Sequence, residues 1–137
     1  MRQRYQLLLI LVTVMVCVLL ISPGTSWWVE RPSAMLGGTD ETDAGGHVGL
    51  FILLATGWTL ALGRYWSRRR SIATVVVCAV ILAASTEVAQ LFIPERGSSL
   101  IDFGADVLGT LIGITLATVV THFMARYRSA PPPANPS

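Results

Sequence analysis

The sequence contains no lysine, and charge of either sign is scarce in it. All ten basic residues are arginine, and charged residues make up 13% of a chain that is 53% hydrophobic. This balance lies outside the range of ordinary soluble domains and predicts a membrane protein. The net charge of +2 is too small and too scattered for a nucleic-acid groove, so nucleic acid is excluded as a partner.

Cysteine is equally scarce. The two cysteines, Cys17 and Cys78, lie in the middle of apolar segments, where a thiol behaves as a small hydrophobic group. They therefore indicate neither a disulfide, nor a zinc site, nor a nucleophile. We expect no cofactor and no bound metal.

Long apolar runs are abundant. A helix needs about 20 apolar residues to span a bilayer, and four runs approach that length, at residues 5–21, 47–62, 72–93 and 100–124. The predicted fold is an all-α domain over residues 1–127 with four transmembrane helices, followed by a Pro-rich, disordered cytoplasmic tail at 128–137. The first run also resembles a secretory signal peptide, so its cleavage is an open alternative.

The placement of the arginines predicts an orientation. If the chain crosses the membrane four times, eight arginines fall on one side with no acidic residue among them, and the eight acidic residues lie at or towards the other side. The positive-inside rule then places both termini in the cytoplasm. A tight outer turn at 94–99 makes the third and fourth segments an antiparallel hairpin.

The fourth segment carries two aspartates and two glycines on one face. Asp102 and Asp106 are four residues apart, and Gly109 and Gly113 continue the same helical face. Glycines at this spacing mark a seam where helix backbones approach closely in membranes. We therefore expect the aspartates to face protein and not lipid.

The second and third segments bring further polar side chains to the same depth. Ala83, Glu87 and Gln90 share one face of the third segment, and Asp43 and His47 are an i, i+4 pair at the start of the second. The turn between the last two segments adds an arginine. The predicted polar cluster consists of Asp43, His47, Glu87, Gln90, Arg96, Asp102 and Asp106, with Ala83, Gly109 and Gly113 as helix-packing positions.

This arrangement resembles the VanZ-like family of small bacterial membrane proteins. The resemblance rests on an Asp four residues before a His, then Glu-x-x-Gln, Pro-x-Arg, a Ser, and Asp-x-x-x-(Asn or Asp)-x-x-Gly-x-x-x-Gly. It covers residues 40–117, and the stretch EVAQLFIPERGSSLIDFGADVLGTLIG is its most specific part. The chain departs from the family at Ala44, where a Lys is common, and at Asp106, where an Asn is usual.

The resemblance implies a multi-pass protein of the cytoplasmic membrane with a role at the cell envelope. The family is named for a protein associated with resistance to a lipoglycopeptide antibiotic. It does not imply a settled reaction or substrate, and whether this chain is an enzyme is left open, with the balance against it.

Several functions fit the polar cluster. In the favoured hypothesis it is an outward-facing pocket that binds an envelope lipid, an envelope precursor or part of a lipoglycopeptide-type antibiotic. In the main alternative it only locks the helices of a structural or accessory scaffold. Catalysis on an envelope lipid, with His47 as general base oriented by Asp43, and a metal site on His47, Glu87 and Asp102 are weaker alternatives. Membrane lipids are expected partners, and a homo-oligomer is left open.

Overall fold

The computed structural model describes residues 2–22, 40–93 and 99–128. Within these ranges the chain forms no strand and four α-helices: α1 (Arg2–Ile21), α2 (Asp40–Leu62), α3 (Arg68–Gln90) and α4 (Leu100–Arg128). The prediction of an all-helical fold is confirmed. Most of the predicted outer turn and the predicted tail beyond residue 128 lie outside the described residues.

Three of these helices are long and apolar enough to cross a membrane, over Asp43–Leu62, Arg68–Gln90 and Leu100–Tyr127. The apolar stretch described in α1 is shorter, at Leu9–Ile21. The apolar runs begin at residues 47 and 72, whereas α2 begins at Asp40 and α3 at Arg68. The first turns of both helices are polar and therefore lie outside the apolar runs.

Among the described helices, α4 has its most extensive contact with α2, and it also contacts its predicted hairpin neighbour α3. The contact with α2 depends on two glycines of α4. A Cβ atom added at Gly109 would lie 2.5 Å from the carbonyl oxygen of Val48, and one added at Gly113 would lie 2.6 Å from that of Ile52. The two backbones can approach this closely only because glycine has no side chain.

Helix α1 packs into the bundle through a small buried core. Val16 and Leu20 of α1 contact Phe51 of α2 and the small residues Ala79 and Ala83 of α3. The alanines leave room for the larger side chains of the neighbouring helices, as expected for a membrane helix interface. The opposite face of α1 is apolar and exposed, which suits contact with lipid.

Two hydrogen bonds add polar contacts to this interface. The indole N–H of Trp58 donates to the hydroxyl oxygen of Thr13 at 3.0 Å. The side-chain amide of Gln90 donates to the backbone carbonyl oxygen of Leu20 at 2.8 Å. Leu20 lies in the last turn of α1, where carbonyl groups have no partner within their own helix. Gln90 therefore caps the end of α1 from α3.

Candidate functional site

The polar residues of α2, α3 and α4 meet at one end of the bundle around a buried pair. His47 Nδ1 and Asp106 Oδ1 are 2.9 Å apart, and the two residues are 2% and 0% exposed. They are 59 positions apart in the sequence and belong to different helices. With a proton on Nδ1 the Asp106 carboxylate accepts this hydrogen bond, and Nε2 is the second functional atom of the ring.

The glycine seam positions this pair. Gly109 lies one turn after Asp106 on α4, and it contacts Val48, the residue that follows His47 on α2. The close approach of the backbones at Gly109 therefore brings the imidazole and the carboxylate within hydrogen-bond distance.

Glu87 of α3 holds the start of α4. Its Oε2 atom accepts a hydrogen bond from the backbone N–H of Ser99 at 2.6 Å. The Ser99 hydroxyl oxygen accepts from the N–H groups of Ile101 and Asp102, at 3.2 and 3.3 Å, and so caps the first turn of α4. The Oε2 atom of Glu87 thus has a structural role, whereas its Oε1 atom has no hydrogen-bond partner among the described residues.

Three buried atoms of the site have no hydrogen-bond partner among the described residues. They are His47 Nε2, Glu87 Oε1 and Asp106 Oδ2, and each comes from a different helix. Burying such groups without a partner is costly, and more so in a membrane. His47, Glu87 and Asp106, called the acceptor triad below, each offer one ligand atom within 4.8 Å of the others. When the imidazole is neutral with its proton on Nδ1, all three unpartnered atoms are acceptors.

A second group of three shares the same histidine. Asp43, His47 and Asp102 also offer one ligand atom each within 4.8 Å of one another. Asp43 and Asp102 already make other interactions, so this group is less available to a ligand. Both groups combine imidazole and carboxylate, a donor set that suits zinc and other divalent transition metals.

The structure brings together most of the predicted polar cluster. The acceptor triad is mutually close, Asp43 and Asp102 lie beside His47, and Gln90 lies one turn beyond Glu87 and turns to α1. Arg96 lies outside the described residues. Gly109 and Gly113 lie at the α2–α4 contact, and Ala83 lies in the core.

Two contributions were missed by sequence reasoning. No pattern in the sequence assigns a role to Trp58, yet its indole N–H donates to the Thr13 hydroxyl oxygen. Ser99 was matched to a family motif without a role, and it links Glu87 to the first turn of α4. The Ser three residues before Asp102 is an N-cap signal that could have revealed this second role.

Comparison with known proteins gives one match. The model of a family described as VanZ/LLP1 matches residues 5–121, most of the chain. No curated protein and no solved structure matches.

Proposed function

The chain belongs to the VanZ/LLP1 family, and from this membership we propose that its polar cluster binds a component of the bacterial cell envelope. The family and the three long apolar helices support a membrane protein of this type. The protein would lie in the cytoplasmic membrane. The ligand would be an envelope lipid, an envelope precursor or part of a lipoglycopeptide-type antibiotic.

We propose α1 as a fourth span, with both termini in the cytoplasm. The helix has 20 residues and is therefore about 30 Å long, enough to cross the hydrocarbon core. Its contacts with α2 and α3 support a place inside the bundle. The arginines at one end of the bundle favour the cytoplasm for that end, so the polar cluster would face outwards.

The observation that carries the binding proposal is the acceptor triad. Its three residues lie close enough to share a ligand, and each has one acceptor atom without a hydrogen-bond partner among the described residues. These three atoms equal in number the N–H donors of a primary ammonium group, and two of them belong to carboxylates of opposite charge to that group. Each charge-assisted bond contributes more than a neutral one. Primary amines occur on lipid headgroups, on peptide portions of envelope precursors and on antibiotics, so one group would be recognised in all three ligand classes.

A structural lock explains the same residues less well. Three hydrogen bonds already join different helices or their ends: His47 to Asp106, Ser99 to Glu87, and Gln90 to Leu20. They leave the acceptor triad with three buried atoms that stabilise nothing within the described residues. A ligand would supply the partners that these atoms need.

The proposal is tested with dodecylammonium, which carries a primary ammonium group, and dodecyltrimethylammonium, which has the same charge and no N–H donor. We expect only the first to raise the unfolding temperature of the purified protein in neutral detergent. In the Glu87→Gln variant, the dodecylammonium concentration needed for the same stabilisation should rise about tenfold or more. The amide oxygen of the introduced glutamine can still accept from Ser99, while its NH₂ group replaces the unpartnered acceptor. Ser85→Ala, on the exposed side of the same helix, is the matched control.

Other outcomes decide between the alternatives. Equal responses to the two amphiphiles, or none to either, would contradict recognition of a primary ammonium group and favour the structural lock. Stabilisation by Zn²⁺ alone would favour a metal site on the acceptor triad. Turnover of a labelled lipid-linked precursor would favour an enzyme. In cells, Glu87→Gln should keep normal protein abundance and lose an envelope or antibiotic-susceptibility phenotype.

A further inference from the structure

A cavity of about 570 Å³ lies at the opposite end of the bundle from the polar cluster. It is formed where α2 and α4 end and α3 begins. Thr59, which lines it, is about 18 Å along α2 from His47 at 1.5 Å per residue. The cavity has the volume of an ordinary small-molecule site, and the proposed function at the polar cluster does not use it.

The lining of the cavity has two chemically different parts. One part is basic and hydroxylated, with Arg64, Arg68 and Ser71. The other is apolar, with Leu60, Val120 and Met124. Val120 and Met124 are 43% and 53% exposed, so this second part continues onto the lipid-facing surface of α4. A ligand that matches both parts has an anionic head and an apolar tail.

Arg68 is the basic residue best placed to bind an anion. It is the first residue of α3, and the N-cap residue Ser67 makes no side-chain hydrogen bond to the first turn. The N–H groups of that turn and the guanidinium therefore present donors and positive charge at the same place. Arg64 already makes another interaction, and the Arg70 guanidinium stacks on the Trp66 ring at 4.5 Å. Neither arginine is therefore assigned to the anion.

A buried hydroxyl group of α2 in the lining of the same cavity gives a second observation. Thr59 is 9% exposed, and its Oγ1 atom has no hydrogen-bond partner among the described residues. In a helix a threonine hydroxyl commonly bonds a carbonyl of the preceding turn, as Thr13 does to Leu9. An unpaired hydroxyl in the wall of a basic cavity is a donor available to a phosphate oxygen.

We infer that this cavity binds an anionic phospholipid, with the phosphate at Arg68 and the start of α3 and an acyl chain along Val120 and Met124. Charge complementarity favours an anionic lipid over a zwitterionic one. The apolar strip favours a lipid over free phosphate, because free phosphate would leave that strip without a ligand.

The test compares phosphatidylglycerol, phosphatidylcholine and inorganic phosphate as ligands of the purified full chain in neutral detergent. Binding is measured by native mass spectrometry and by the shift in unfolding temperature. We expect phosphatidylglycerol to be retained and to stabilise the protein. Arg68→Gln should weaken its binding roughly tenfold, the loss of one charge-assisted contact, while Arg69→Gln, outside the cavity lining, should change it less than about twofold.

The two variants remove the same charge from neighbouring positions, so they separate a site from general attraction to the basic loop. Equal losses from both would overturn the proposed site. Stabilisation by inorganic phosphate equal to that by phosphatidylglycerol, or equal retention of phosphatidylcholine, would overturn the anionic lipid as ligand. Because Glu87→Gln acts at the other end of the bundle, it should leave phosphatidylglycerol binding unchanged even if the proposed function fails.

Discussion

Replacing Gly109 by alanine should separate α2 from α4 and break the His47–Asp106 hydrogen bond. The added Cβ atom would lie 2.5 Å from the Val48 carbonyl oxygen, about 0.9 Å inside ordinary van der Waals contact. It would also lie 2.9 Å from the Cβ atom of Phe51. Neither neighbour is the flexible end of a side chain, so relief requires the helices to move apart.

The size of the effect follows from that movement. A separation of the same size would lengthen the His47–Asp106 contact from 2.9 Å to about 3.8 Å, beyond hydrogen-bond distance. Overpacking costs about 1–3 kcal/mol, and leaving a buried polar group unpaired costs about 1–3 kcal/mol more. We expect Gly109→Ala to lower the free energy of unfolding by about 2–6 kcal/mol.

Gly104→Ala is the matched control on the same helix. A Cβ atom there would meet nothing within 4 Å, and alanine is the better helix former by about 0.5–1 kcal/mol. It should therefore leave stability unchanged or slightly raised. The measurement is reversible unfolding in mixed detergent micelles, followed by far-UV circular dichroism. Equal stability of the two variants would refute the argument that the glycine seam sets the geometry of the site.

Two further substitutions test single contacts by the same unfolding assay. Ser99→Ala removes the acceptor for two N–H groups of the first turn of α4 and should cost about 1 kcal/mol, whereas Ser99→Thr should retain most of the stability; equal losses would argue against a capping role. Gln90→Leu removes the hydrogen bond from the Gln90 amide to the Leu20 carbonyl oxygen and should cost about 1 kcal/mol, the net contribution of one such bond. Gln6→Leu, on the exposed surface of α1, should cost little, and a similar loss there would show that the contact with Leu20 is not the cause.

The helices and their faces could be predicted because helical periodicity is local. The spacing of Asp102, Asp106, Gly109 and Gly113 is sufficient to place them on one face, and all four are buried in the structure. Apolar runs mark the middle of each helix but not its beginning, because a first turn such as that of α3 at Arg68 is polar.

The partners of those faces could not be predicted, because they depend on how separate helices pack. The short turn between α3 and α4 predicts that they are neighbours, and they are in contact, but it does not indicate that the glycine seam of α4 faces α2. The spacing in the sequence pairs His47 with Asp43, four residues away and close to it in the structure, but it does not indicate the hydrogen bond between His47 and Asp106. Asp106 is also the position where the chain departs from the usual Asn, and nothing in local spacing indicated that the imidazole would meet it.

The contact between Gln90 and α1 has a consequence for how this first helix can vary. Its acceptor is a peptide oxygen, an atom that every amino acid provides. Substitutions along the exposed face of α1 can therefore accumulate without shifting this helix along its axis relative to α3. With α1 as the proposed fourth span, the contact constrains the number of residues before Leu20 that lie within the bilayer, so α1 should tolerate changes of composition far better than changes of length.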